Sequence, residues 1–110
     1  MKDNLVYVED IIDGIQQIEN YMQGLTLSQF LSDRLIQDGV VRNFEIIGEA
    51  SKKISNDFKI KYSKIPWGKM AGMRDKLIHD YRGVEYKLVW SIVFETLPIV
   101  KPQLRAILET

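Results

Sequence analysis

The stretch "VEDIIDGIQQIENYM" (Val8 to Met22) decides the class of fold. Its apolar positions Val8, Ile11, Ile15, Ile18 and Met22 recur three or four residues apart, with mostly acidic and amide side chains between them. That spacing follows one face of an α-helix and departs from the two-residue alternation of a strand. Asp3 or Asn4 stands where a helix cap is needed, and Gly24 punctuates the chain just beyond Met22. The first element is therefore expected to be a helix from the cap to about Met22.

Working outward, "TLSQ" (Thr26 to Gln29) has the form of a capping box and opens a second helix. Its stripe Val40, Phe44, Ile47 and Ile54 predicts a long helix from about Leu27 to Ile54, with Gly39 and Gly48 as mild interruptions. "SNDFKIKYSKIP" (Ser55 to Pro66) reads as a polar, lysine-rich connection, with Pro66 suited to a first helical turn. A third helix is expected from about Pro66 to Tyr81, stopped near Gly83. A fourth starts near Val84 or Glu85 and reaches about Leu97, where Pro98 and Pro102 kink it or split off a short C-terminal helix. With no strand pattern or repeat competing, the sequence predicts one all-α domain over residues 1–110, a bundle of four to five helices.

Composition narrows the function. Hydrophobic residues make up 45% and charged residues 27%, a globular balance. There is no cysteine and one histidine, so a disulfide framework is excluded and a zinc site is not expected. No signal peptide or membrane span is legible, and the expectation is a cytoplasmic protein without metal or cofactor. Net charge is zero, but its distribution is uneven. Residues 1–51 carry three basic and nine acidic side chains; residues 52–76 carry eight basic and two acidic ones. A basic patch of that kind concentrates polyanions, but taken on its own it reads first as a solvated linker and helix face.

The single histidine lies in "GMRDKLIHDYRGVEY" (Gly72 to Tyr86), five residues after Arg74 and two before Tyr81. On a helix Arg74 and Tyr81 lie within about 20° of each other and continue the stripe of Trp67 and Met70. An arginine in such a stripe needs a paired carboxylate, a cleft or a subunit interface, because an unpaired buried charge is costly. His79 stands about 140° from Arg74, so the two converge only at a distorted helix end or across two subunits. Asp75, four residues before His79, is placed to orient its ring. Imidazole can move a proton near neutral pH, and guanidinium can stabilise a phosphoryl group as negative charge builds. That pairing suits RNA cleavage by the neighbouring 2′-hydroxyl. The spacing equally allows a helix end with Arg74 salt-bridged to Asp75 or Glu49, His79 at the helix dipole and Tyr81 in the core.

The run "IPWGKMAGMRDKLIHDY", with Trp90 and Leu97–Pro98 downstream and "RNFEIIGEASKKIS" (Arg42 to Ser55) upstream, resembles the HepT-like proteins of the HEPN superfamily. The resemblance spans about residues 4 to 105. It implies an all-helical homodimer with the paired motifs lining a cleft, and a metal-independent endoribonuclease toxin of a type VII, HepT/MntA-like toxin–antitoxin pair. Its implied partners are RNA and a minimal nucleotidyltransferase antitoxin. Arg74 and His79 would be the catalytic pair, Asp75 a supporting residue, and Tyr81 the acceptor of the AMP that blocks the cleft. Asp75 departs from the asparagine often expected after the arginine and adds negative charge beside the phosphate. The basic segment 52–76 would flank the RNA, with Lys64, Lys69 and Lys76 as contacts. The alternative is a non-catalytic helical dimer that binds a nucleotide or docks on a nucleotidyltransferase.

Overall fold

Asp3 begins the first helix as expected: its carboxylate accepts from the Leu5 N–H at 3.1 Å and caps α1 (Asn4–Met22). The computed structural model describes residues 3–78 and 85–110, with the backbone alone for Arg74 and 76–78. The α1 stripe is buried as its spacing predicts, with Val8, Ile11, Ile15 and Ile18 fully enclosed. Gly14 lies on the same buried face, and a Cβ there would come within 2.9 Å of Ile47 Cγ1. Its missing side chain lets α1 settle closely onto the central helix.

The capping box opens a helix, but a short one. Thr26 Oγ1 accepts from the Gln29 N–H at 3.1 Å, and Gln29 Oε1 accepts from the Thr26 N–H at 2.9 Å, starting α2 (Leu27–Ser32). The long helix expected over Leu27 to Ile54 breaks at Asp33, whose backbone leaves the helical region at φ −112°, ψ 94°. Its carboxylate accepts from the Ile36 N–H at 3.1 Å and caps α3 (Arg34–Lys53) instead of continuing α2. Gln37 bridges the break, its buried amide donating to the Phe30 carbonyl at 2.9 Å. The same carbonyl also accepts from the Asp33 N–H at 3.3 Å, so this helix-end acceptor is met twice at the break.

The expected connection over 55–66 also contains a helix, α4 (Asn56–Lys61), capped by Ser55. Ser55 is tied to α1 as well: Asn4 Nδ2 donates to Ser55 Oγ, and the Ser55 N–H donates to Asn4 Oδ1, both at 3.0 Å. Next comes α5 (Trp67–Ile78), which matches the expected third helix as far as Ile78. The expected end near Tyr81 lies outside the described residues.

The last part differs from the sequence expectation in form. α6 (Tyr86–Ser91) runs into a π-helical turn (Ile92–Thr96) and on into α7 (Leu97–Leu108), which carries both prolines. Pro98 has no N–H to give and its ring crowds the preceding carbonyls. The wider turn, in which the Leu97 N–H reaches back to the Ile92 carbonyl, takes up that misfit without ending the helix.

Packing makes α3 the centre. One side meets α1 and another meets α5, while α7 lies along α1 and α2 packs on α3 and α6. Val40, Phe44 and Ile47 fill the middle, Phe30 contacts the rings of Tyr86 and Trp90, and Leu97, Val100, Leu104 and Ile107 close the core from α7. Lys101 fastens α7 to α1 through Glu19 at 2.7 Å and Gln16 at 2.8 Å. Among the described residues there is no strand, and the architecture is an all-α bundle.

Candidate active site

α5 is positioned by the turn before it. The Trp67 indole N–H donates to the Tyr62 carbonyl at 3.1 Å, and the same carbonyl accepts from the Ile65 N–H at 3.1 Å. The Pro66 carbonyl accepts from the Met70 N–H at 3.0 Å, so Pro66 stands just ahead of the helix, where a residue lacking an N–H is tolerated. Trp67, Met70 and Met73 are buried and define the face of α5 that meets α3. The Arg74 backbone falls on this side, about 40° from Met70 and about 20° from Trp67 by helix geometry. The arginine thus belongs, by position, to the row that the sequence assigned to it. Its side chain lies outside the described residues, as do His79 and Tyr81 entirely, so neither the Arg74–His79 pairing nor a distorted helix end is described.

Asp75 is exposed on α5, and its Oδ1 lies 3.5 Å from Lys52 Nζ in the last turn of α3. With both side chains substantially open to water, at 40% and 56% exposure, such a pair contributes about 0–1 kcal/mol. Its consequence is charge placement, since a cation from α3 offsets part of the negative charge that Asp75 adds beside Arg74.

The three candidate RNA-contact lysines do not form one group. Lys69 and Lys76 are seven apart and share a row of α5, about 100–120° round the helix from Met70 by position. Lys69 is exposed and lines a cleft of about 420 Å³ with Gly72 and Met73, closed on the other side by Leu88, Ser91 and Ile92. A Cβ at Gly68 or Gly72 would meet nothing within 4 Å, so this side of α5 is flat and open. Lys64 is separated from them. It precedes α5, and Arg74 lies seven residues, about 10 Å, beyond the start of that helix. Lys64 instead shares a different pocket with Lys61, Tyr62 and Gln103, a grouping the sequence reading missed. The interleaved "KIKYSK" (Lys59 to Lys64) was the signal available for its basic side; Gln103 joins only through tertiary packing.

Charge is unevenly spread over the surface, although Arg34 and Arg42 are exposed on α3 and Asp57 and Asp75 on α4 and α5. Exposed carboxylates include Glu9, Asp13, Glu19, Asp38 and Glu49 on α1 and α3, whereas exposed lysines 52, 53, 61, 64 and 69 run from the end of α3 through α4 onto α5. No helix among the described residues is long and apolar enough to cross a membrane.

Comparison with known proteins shows the family of the chain. The family model described as "Ribonuclease HepT-like" matches residues 11–107, which include the whole of α5 and the arginine–histidine motif. A probable ribonuclease HepT of Thermococcus cleftensis is 48% identical over 86% of this chain and 86% of its own length. A candidate RNase of Caldanaerobacter subterraneus subsp. tengcongensis is 38% identical over 99% of this chain and 97% of its own. One from Methanocaldococcus jannaschii is 40% identical over 88% of this chain and 80% of its own. No solved structure gives a significant match.

Proposed function

The chain belongs to the HepT-like ribonuclease family, and from that premise we propose that it is a metal-independent endoribonuclease whose catalytic pair is Arg74 and His79. The observation that carries the reading is Arg74 on the buried-side row of α5, five residues ahead of the single histidine, within the family match. The proposed chemistry needs no nucleophile from the protein. The 2′-hydroxyl attacks the adjacent phosphorus, its proton passes to an imidazole, the 5′-oxygen leaves with a proton, and a 2′,3′-cyclic phosphate remains. The Arg74 guanidinium stabilises the charge on the phosphoryl oxygens.

One histidine per chain cannot serve both proton transfers at once. A homodimer with motifs facing across a two-fold axis supplies two imidazoles and two guanidiniums, and we assign the active form to that assembly. Lys69 and Lys76, on the open row of α5, are the proposed contacts to flanking phosphates. Asp75, partly offset by Lys52, is the proposed orienting residue for His79.

The regulatory reading follows from the same family membership. The protein acts as the toxin of a type VII pair, and a minimal nucleotidyltransferase antitoxin adds AMP to Tyr81. The phenol oxygen attacks the α-phosphorus of ATP, pyrophosphate leaves, and the AMP fills the RNA cleft. Incubation with the partner and ATP is expected to raise the intact mass by AMP units, with no gain in Tyr81→Phe. An undiminished gain in that variant rules out Tyr81 as acceptor. Cleavage of RNA by the purified protein in EDTA tests the catalytic reading, with Arg74→Ala expected to stay folded and lose activity.

A further inference from the structure

We propose that the turn between α4 and α5, together with the facing side of α7, forms a second RNA contact. It would hold one nucleotide of the substrate strand away from the cleavage site, and it rests on the ribonuclease reading. The pocket has a volume of about 350 Å³ and is lined by Lys61, Tyr62, Ser63, Lys64 and Ile65 from the turn and Gln103 from α7.

Three observations define its occupant. Among the described residues Gln103 Oε1 is buried without a hydrogen-bond partner, an arrangement that proteins generally avoid because the desolvated acceptor gains nothing in return. Gln103 lines the pocket, and a turn of its amide would let a ligand carrying an amine or hydroxyl donor satisfy that oxygen. Lys61 and Lys64 are exposed cations that line the pocket, suited to phosphate. Lys61 Nζ also lies 5.4 Å from the Tyr62 ring centroid, so an aromatic surface and a cation are already paired there. Cation, ring and amide together match a nucleotide: phosphate on the lysines, base against Tyr62, and an exocyclic amine or 2′-hydroxyl donating to Gln103.

The frame is fixed in advance. The Tyr62 carbonyl is held by the Ile65 N–H and the Trp67 indole, and the Tyr62 ring leans on Phe58 at 4.8 Å between centroids. Little ordering is left for binding to impose. The distance along α5 gives the pocket its role. About 10 Å of helix separates the start of α5 from Arg74, roughly three stacked nucleotides at about 3.4 Å each. The strand cut near Arg74 is therefore not cut at the nucleotide that fills this pocket.

Binding and cleavage of a long single-stranded RNA in EDTA, measured with the full chain, separate this inference from the reading beneath it. Lys61→Ala/Lys64→Ala is expected to weaken RNA binding roughly tenfold and to lower the salt slope by about one per lysine. It should raise KM for the long RNA with kcat unchanged, and leave kcat/KM for a trinucleotide as it was. Gln103→Leu, which removes the orphaned oxygen, is expected to keep or raise the melting temperature while still weakening RNA binding. Unchanged KM and salt slope in the double variant, with cleavage intact, overturn the pocket alone. Binding that depends on the two lysines without any cleavage leaves the pocket standing and overturns the ribonuclease reading. No RNA binding by the wild type overturns both, and saturable AMP binding here with no competition by RNA assigns the pocket to a free nucleotide and overturns it as an RNA contact.

Discussion

α1 and α3 are both capped by aspartates and packed through small residues, and α1 carries four acidic side chains and no basic one. Asp3 and Asp33 cap the two helices, Gly14 admits Ile47, and Gly39 lies 3.0 Å from the Tyr21 ring as measured from an ideal Cβ. Along α4 and α5 the pattern reverses. α4 buries none of its residues, Lys61 faces water, and the glycine-bearing side of α5 leaves open space around Gly68 and Gly72. The difference separates two jobs: α1 and α3 hold the structure, while α4 and α5 present charge and, by the proposal above, chemistry. α3 joins the jobs, because its other side carries α5 and its last turn brings Lys52 to Asp75. Substitutions in the first region should act on stability, and substitutions in the second on RNA.

The largest stability effect is expected at Phe44, which is 1% exposed in the middle of α3. Phe44→Ala should lower the unfolding free energy by about 3–5 kcal/mol, read from urea or thermal unfolding. A loss under about 1 kcal/mol would mean that α3 is not the centre of the core. Gly14→Val is next, because its side chain must displace Ile47; overpacking of this kind costs about 1–3 kcal/mol. Asp33→Ala removes one cap and should cost about 1 kcal/mol, with Asp33→Asn nearly neutral.

That third prediction marks where the sequence was hard to read. The α1 stripe and the capping box at Thr26 were legible because each depends on residues a turn apart. The break at Asp33 was not, since the helical period survives across it: Phe30 and Gln37 are buried on either side, seven residues apart, as in one unbroken helix. Ser32–Asp33 carries capping side chains, but the Phe30 carbonyl left at the break is met by the Asp33 N–H and by the Gln37 amide, the latter a pairing seven residues apart that helix periodicity does not signal. α4 escaped notice for another reason. Six residues with no buried side chain give periodicity nothing to act on, and Ser55 alone signals its start. At the candidate site, the family resemblance located Arg74, Asp75, His79 and Tyr81, and chain proximity grouped Lys64 with them. Folding sends Lys64 to the other end of α5, something that net charge over a segment has no way to reveal.

The smallest stability effect belongs to the exposed pair between the two regions. Lys52→Ala should change stability by less than about 0.5 kcal/mol, because water screens the ion pair. It should nevertheless lower the rate of RNA cleavage, by removing one of the positive charges beside the Asp75 carboxylate. A large fall in melting temperature with unaltered cleavage would place Lys52 in the stabilising region and remove the boundary drawn here.

His79→Ala bears on the central claim most directly. The purified variant and wild type are compared for RNA cleavage in EDTA, with melting temperature and oligomeric state measured on the same samples. The account predicts cleavage by the wild type, none by the variant, and matching melting temperatures and assembly. Equal cleavage by His79→Ala would contradict it.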